Sequence, residues 1–88
     1  MLDQAWALND SVALRPEPFG ALAYDFTTRR LSFLKDPALV DVVRQLREHD
    51  GVTETLDAVG VPRSERPRFR AALQRLADQQ MIVPRSPQ

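Results

Sequence analysis

The sequence predicts an α+β fold in which a small antiparallel sheet comes first and helices follow, and three observations carry that expectation. Between Gly20 and Lys35, large apolar residues recur at every second position: Leu22, Tyr24 and Phe26, then Leu31 and Phe33. Successive side chains leave a strand on opposite faces, so this spacing suits half-buried strands. After Lys35 the apolar period changes to that of a helix and holds almost to the C-terminus. Two short helical stretches then meet at Gly60, which is the spacing of a helix-turn-helix unit.

Met1 to Asp10 reads as an N-terminal arm with Trp6 and Leu8 in small or polar company. It is either frayed or pinned by its tryptophan, since burying such a ring removes about 150–250 Å² from water. Ser11 to Arg15 alternates around Val12 and Leu14 and reads as a first strand. Pro16-Glu17-Pro18 ends it, because proline supplies no donor to a ladder. Phe19-Gly20 leads into the second strand, and a polar four-residue loop around Thr27 to Arg30 joins it to a third, Arg30 to Lys35. The helices are expected on the apolar face of this sheet.

Asp36 and Pro37 start the first helix, as N-cap and first helical residue. Leu39, Val42, Val43 and Leu46 form its apolar stripe, which runs to about His49 before Asp50-Gly51 closes it. Thr53 begins a short second helix with Leu56 and Val59 inward and Gly60 at its end. Ser64 starts the third, where Glu65 and Pro67 suit the first turn and Phe69, Ala72, Leu73 and Leu76 draw the stripe. Met81-Ile82-Val83 is an extended end stopped by Pro84. Residues 11–84 thus read as one winged-helix-like domain, a three-stranded antiparallel sheet followed by three helices, between an arm at 1–10 and a tail at 85–88.

Composition narrows the function. A chain of 88 residues allows one modest core and little room for an enclosed active site. It has no cysteine, so no disulfide, thiolate nucleophile or cysteine-held metal is expected. His49 is the lone histidine, which makes neither a zinc site nor a triad and suits the end of the first helix. Asp36, Asp41 and Glu48 fall on expected solvated faces, and Gly20, Gly51 and Gly60 stand in separate turns rather than in a phosphate loop. Neither an enzyme nor a cofactor is expected. No apolar run approaches the ~20 residues of a membrane span, and the N-terminus has no basic start or secretory apolar core, so a cytoplasmic protein is expected.

Net charge is zero but uneven: the 12 basic and 12 acidic side chains leave residues 1–60 acidic and residues 61–88 basic. Two binding surfaces follow. As the last strand of its hairpin, Arg30 to Lys35 presents an edge that invites an extended peptide to add as another strand. Arg29, Arg30 and Lys35 equally suit an edge guarded by charge against aggregation, and the same edge allows pairing with a second copy. The second surface is the third helix, with Arg66 and Arg70 one turn apart and Arg68 and Arg75 on a neighbouring line. In a DNA-binding regulator these four would lie in a major groove. Against this, the chain has no net positive charge to neutralise phosphates.

Trp6, the run Val12-Ala-Leu-Arg-Pro-Glu-Pro-Phe-Gly-Ala-Leu-Ala-Tyr-Asp-Phe, Arg30-Leu-Ser-Phe-Leu and the Asp50-Gly51-Val52-Thr53 turn together resemble the mycofactocin biosynthesis chaperones. These are small relatives of the PqqD-like recognition domains for ribosomally made, modified peptides. The resemblance covers nearly the whole chain and departs from ordinary PqqD-type domains in a hairpin turn without glycine. It implies a winged-helix-like fold that binds peptide rather than nucleic acid. The leader of the mycofactocin precursor peptide would add to the third strand, in the groove that strand makes with the third helix. The chaperone would present the precursor's C-terminal Val-Tyr to a radical S-adenosylmethionine maturase for oxidative decarboxylation and crosslinking, the iron–sulfur clusters belonging to that enzyme. On this reading the peptide site is Arg30, Leu31, Ser32, Phe33, Leu34 and Lys35 on the strand, with Arg66 and Arg70 meeting acidic leader residues and Phe69 or Leu73 flooring the groove.

Overall fold

The computed structural model describes residues 4–85. Its strands are β1 (Trp6–Leu8), β2 (Val12–Glu17), β3 (Gly20–Asp25), β4 (Arg30–Leu34) and β5 (Ile82–Pro84). Its helices are α1 (Pro37–Gln45), α2 (Val52–Val59) and α3 (Arg66–Asp78), with single 3₁₀ turns at Leu46–Glu48 and Arg63–Glu65. β2, β3 and β4 form the expected three-stranded antiparallel sheet in that order, and β1 pairs with β5 in a second sheet of two strands. The α+β class is as expected, and the small extra sheet was not foreseen.

That extra sheet pins the N-terminal segment. Trp6 is buried and lies opposite Pro84, Ala7 opposite Val83, and Leu8 opposite Ile82. The Asn9 amide donates to Gln80 O, and the Asn9 backbone N–H donates to Met81 O. Pro84 is therefore the last paired residue of a strand, not the residue that stops one at Val83. Of the expected loose tail, Arg85 is held, its backbone N–H donating to Ala5 O, and residues 86–88 lie outside the described residues.

The sheet is turned over relative to the expectation. Ala21, Ala23 and Asp25 face inward and are 0%, 1% and 2% exposed, whereas Tyr24 and Phe26 on the alternate positions are exposed. Leu34 is inward on β4, and Leu31 and Phe33 are 54% and 59% exposed. Counting large apolar residues picked the wrong face because a helix packs on this one. Alanines let α1 approach β3, and the core volume comes from the helices instead: Leu39, Val42, Val43, Leu46, Leu56, Phe69, Leu73 and Leu76.

Gly20 belongs to the same close packing. Its φ is +145°, and a Cβ there would stand 2.1 Å from the Leu34 carbonyl oxygen. At the other end of β3, Asp25 builds the four-residue hairpin turn. Its carboxylate accepts from the Thr27 backbone N–H at 2.9 Å, the Thr27 hydroxyl at 2.7 Å and the Thr28 N–H at 3.3 Å. Arg29 completes the turn in the left-handed region, with φ 64°. The first strand runs on through Pro16 to Glu17, beyond its expected end. The Phe26 N–H donates to Ser11 O, and in an antiparallel ladder backbone groups alternate between the two sides. Residues 20, 22, 24 and 26 thus bond toward β2, and Val12, Leu14 and Pro16 turn their backbone outward, where a missing N–H breaks no ladder bond.

The start of α1 follows its cap, whereas α2 and α3 begin at Val52 and Arg66, one residue before and two after their expected starts, without a side-chain cap. Asp36 accepts from the Ala38 N–H at 2.9 Å with Pro37 behind it, and Gly60 closes α2 in the left-handed region that its lack of a side chain permits. No helix among the described residues is long and apolar enough to cross a membrane.

Gly20→Ala should cost about 2–4 kcal/mol of stability, through the clash with β4 and the strained φ, as read by urea unfolding. Asp25 supplies a pH signature. The Thr27 hydroxyl, and after it the Thr27 and Thr28 N–H groups, lower its carboxyl to about 2 despite burial. A lowered folded-state pKa contributes stability above the unfolded value of 3.8, lost as pH falls through about 2. Thermal melts should therefore fall between those pH values in the parent and flatten there in Asp25→Asn.

Candidate functional site

The ladder that orients β3 also defines the free edge of the sheet. Residues 21, 23 and 25 bond toward β4, so their partners Leu34, Ser32 and Arg30 turn their backbone groups inward. Leu31 and Phe33 consequently turn theirs outward, and among the described residues no strand pairs with that side of β4. Four of the expected site residues thus divide by function: Leu31 and Phe33 carry the open backbone, while Ser32 and Leu34 hold the hairpin together. Arg30 is exposed at the start of the strand, and its N–H donates to the Thr28 hydroxyl at 3.3 Å.

Beside this edge runs a groove of about 620 Å³, lined by Phe33, Lys35, Asp36, Leu39, Arg68, Ala71, Ala72 and Arg75. The groove does join β4 to α3, but through a different face of α3 from the one expected. Phe69 and Leu73 are 3% and 0% exposed and belong to the core. Ala71 and Ala72 line the groove instead, and their small side chains leave the space that an incoming side chain would fill.

The arginines divide in the same way. Arg66 donates from Nε to Val61 O at 3.0 Å and pairs with Asp57 at 2.7 Å. Arg70 donates to the Thr53 hydroxyl at 2.7 Å. Both lie on the α2 side of α3, away from β4, where they line a separate shallow hollow with Thr53 and Asp57. Arg68 and Arg75, one α-helical face round, border the groove. Arg68 is held by Asp36 at 3.2 Å, by Glu65, and over the Phe69 ring at 4.9 Å from its centroid. The positive charge at the groove therefore comes from Lys35, Arg75 and a partly neutralised Arg68. Helical spacing alone contained this split, but nothing in the sequence said which arginine line faced the sheet.

Sequence reasoning also missed the outer face of the sheet. Phe19, Tyr24, Phe26, Leu31 and Phe33 are exposed large hydrophobics on one stretch of hairpin. Leu22 lies opposite Phe33 and Tyr24 opposite Leu31. Phe19 meets the Phe33 ring edge-on, with centroids 6.0 Å apart. The small residues at 20, 21 and 23 were the available signal that this face is the outer one. Among the described residues, no group of three or more histidine, cysteine, aspartate or glutamate side chains is placed to hold a metal ion.

The comparisons with known proteins agree on one family. The model of the peptide chaperone MftB family matches residues 5–83. A protein named peptide chaperone MftB from Mycobacterium ulcerans is 49% identical over 82 residues, which is 93% of this chain and 75% of that protein. One of the same name from Mycolicibacterium smegmatis is 44% identical over 86 residues, 98% of this chain and 84% of its own. A third, from Mycobacterium tuberculosis, is 42% identical over 83 residues, covering 94% and 76%. No solved structure gives a significant match.

Proposed function

The chain belongs to the peptide chaperone MftB family, and from that premise we propose that it is a non-catalytic chaperone of mycofactocin biosynthesis that binds its precursor peptide by strand addition on β4. The observation that carries this is the unpaired edge of β4 with a groove directly beside it. An added strand would bond the outward N–H and C=O groups of Leu31 and Phe33. Its side chains would then alternate. One set enters the groove over Ala71, Ala72 and Leu39, and the other extends the apolar outer face beside Leu31 and Phe33.

Charge favours an acidic leader segment. Lys35 and Arg75 line the groove, and an incoming carboxylate can share Arg68 with Asp36. On this reading the electrostatic contact is with Lys35, Arg68 and Arg75, which border the groove, rather than with Arg66 and Arg70. A second copy could add at the same edge, but antiparallel self-pairing brings Arg30 of one chain near Lys35 of the other, and like charges oppose it. Holding the leader on the chaperone would leave the C-terminal part of the peptide to a radical S-adenosylmethionine maturase. The chaperone itself then needs only to bind, release and orient.

Two measurements test this by calorimetric titration with a mycofactocin precursor peptide. Leu31→Pro removes one outward donor and should weaken binding more than about tenfold, while Leu31→Ala, which keeps the donor, loses much less. Equal losses would mean that the backbone edge is not used. Lys35→Glu with Arg75→Glu should weaken binding about tenfold and flatten its salt dependence, whereas Arg70→Glu leaves both nearly unchanged.

A further inference from the structure

A second cationic pocket lies on the far side of the sheet, against β2. It encloses about 590 Å³ and is lined by the apolar Ala7, Leu8, Leu14 and Val43 and by Arg44, Arg47 and Arg85, with Asp10 the single carboxylate among the described residues. Arg85 is fixed in place: its guanidinium donates to Arg47 O at 2.7 Å and His49 O at 2.6 Å, closing the carbonyl end of the α1 segment. Arg44 and Arg47 lie three apart on that segment, both exposed, and among the described residues no carboxylate lies within ion-pair distance of either. Among the described residues, three arginines against one aspartate beside an apolar lining make a surface that calls for an anion carrying a hydrophobic group.

The β2 edge tells which shape of anion fits. Of its outward backbone positions, the Val12 N–H already donates to Asn9 O and Pro16 has no N–H, which leaves Leu14 alone. An extended chain could not pair along this edge as it can along β4. A chain end needs no such ladder. In a C-terminal residue the carboxylate and side chain leave one Cα, so the cationic and the apolar lining can be met at once.

We propose that this pocket binds the C-terminal carboxylate of a peptide whose last residue is apolar, with Arg44 and Arg47 on the carboxylate and Leu8, Leu14 and Val43 around the side chain. The inference rests on the reading that the protein's ligand is a peptide, but not on strand addition at β4.

The test is an amide-resolved NMR titration of the full chain with N-acetyl-leucine, with N-acetyl-leucinamide and inorganic phosphate run alongside. N-acetyl-leucine should shift the amides of Leu8, Leu14, Val43 and Arg47 saturably. The double variant Arg44→Glu, Arg47→Glu should weaken that binding at least about tenfold while keeping the parent's spectral dispersion, since both side chains are exposed. Equal shifts with the neutral amide would overturn the proposal, as would phosphate shifting the same amides as strongly, which would make this a bare anion site. The absence of saturation below about 10 mM would overturn it too. If N-acetyl-leucine binds here while the precursor peptide leaves the β4 amides unmoved, strand addition fails and this pocket stands.

Discussion

The alternation of backbone hydrogen bonds across β3 is the constraint on which the rest of this domain depends. Each residue of that strand gives its N–H and C=O to one neighbour only, so fixing the single bond from Phe26 to Ser11 fixes the whole sheet. It assigns the outward positions of both edge strands. On β2 two of the three positions are a proline and a donor already used, so that edge offers an incoming strand only the Leu14 N–H. On β4 they are Leu31 and Phe33, and the edge is open. The two edges of one small sheet thereby acquire different chemistry from the same ladder.

The second constraint is space. Ala21, Ala23 and Gly20 carry almost no side chain, which allows the helices to lie against the sheet and the β4 backbone to pass close by Gly20. The cost is that the large apolar residues of the hairpin go outward to water. Such a cost persists where the exposed face is used. Here the exposed face is continuous with the open edge, and a strand added there would extend it.

Much of this was legible in the sequence. The strand spacing, the cap at Asp36-Pro37, the glycine that ends α2 and the apolar stripes of α1 and α3 each express a local rule that a single stretch of chain satisfies alone. The errors arose where a decision depended on something distant. Which face of the hairpin is buried depends on the helix that packs there, and bulk misled where smallness was the signal. Which arginines border the groove depends on the rotation of α3, set by Phe69, Leu73 and Leu76 in the core. The β1–β5 sheet pairs residues at opposite ends of the chain, and three-residue strands leave too little periodicity to be seen. The edge strand itself was found because a hairpin's last strand is a local feature, while its parity was not.

The most direct test of the account is hydrogen exchange at β4, amide by amide, with and without saturating precursor peptide. The parity of the ladder gives a specific pattern: Ser32 and Leu34, bonded to β3, should exchange slowly in both states, while Leu31 and Phe33 should exchange fast alone and slow with peptide. Leu31 and Phe33 amides that stay fast in the complex would contradict strand addition and place the peptide elsewhere on the domain.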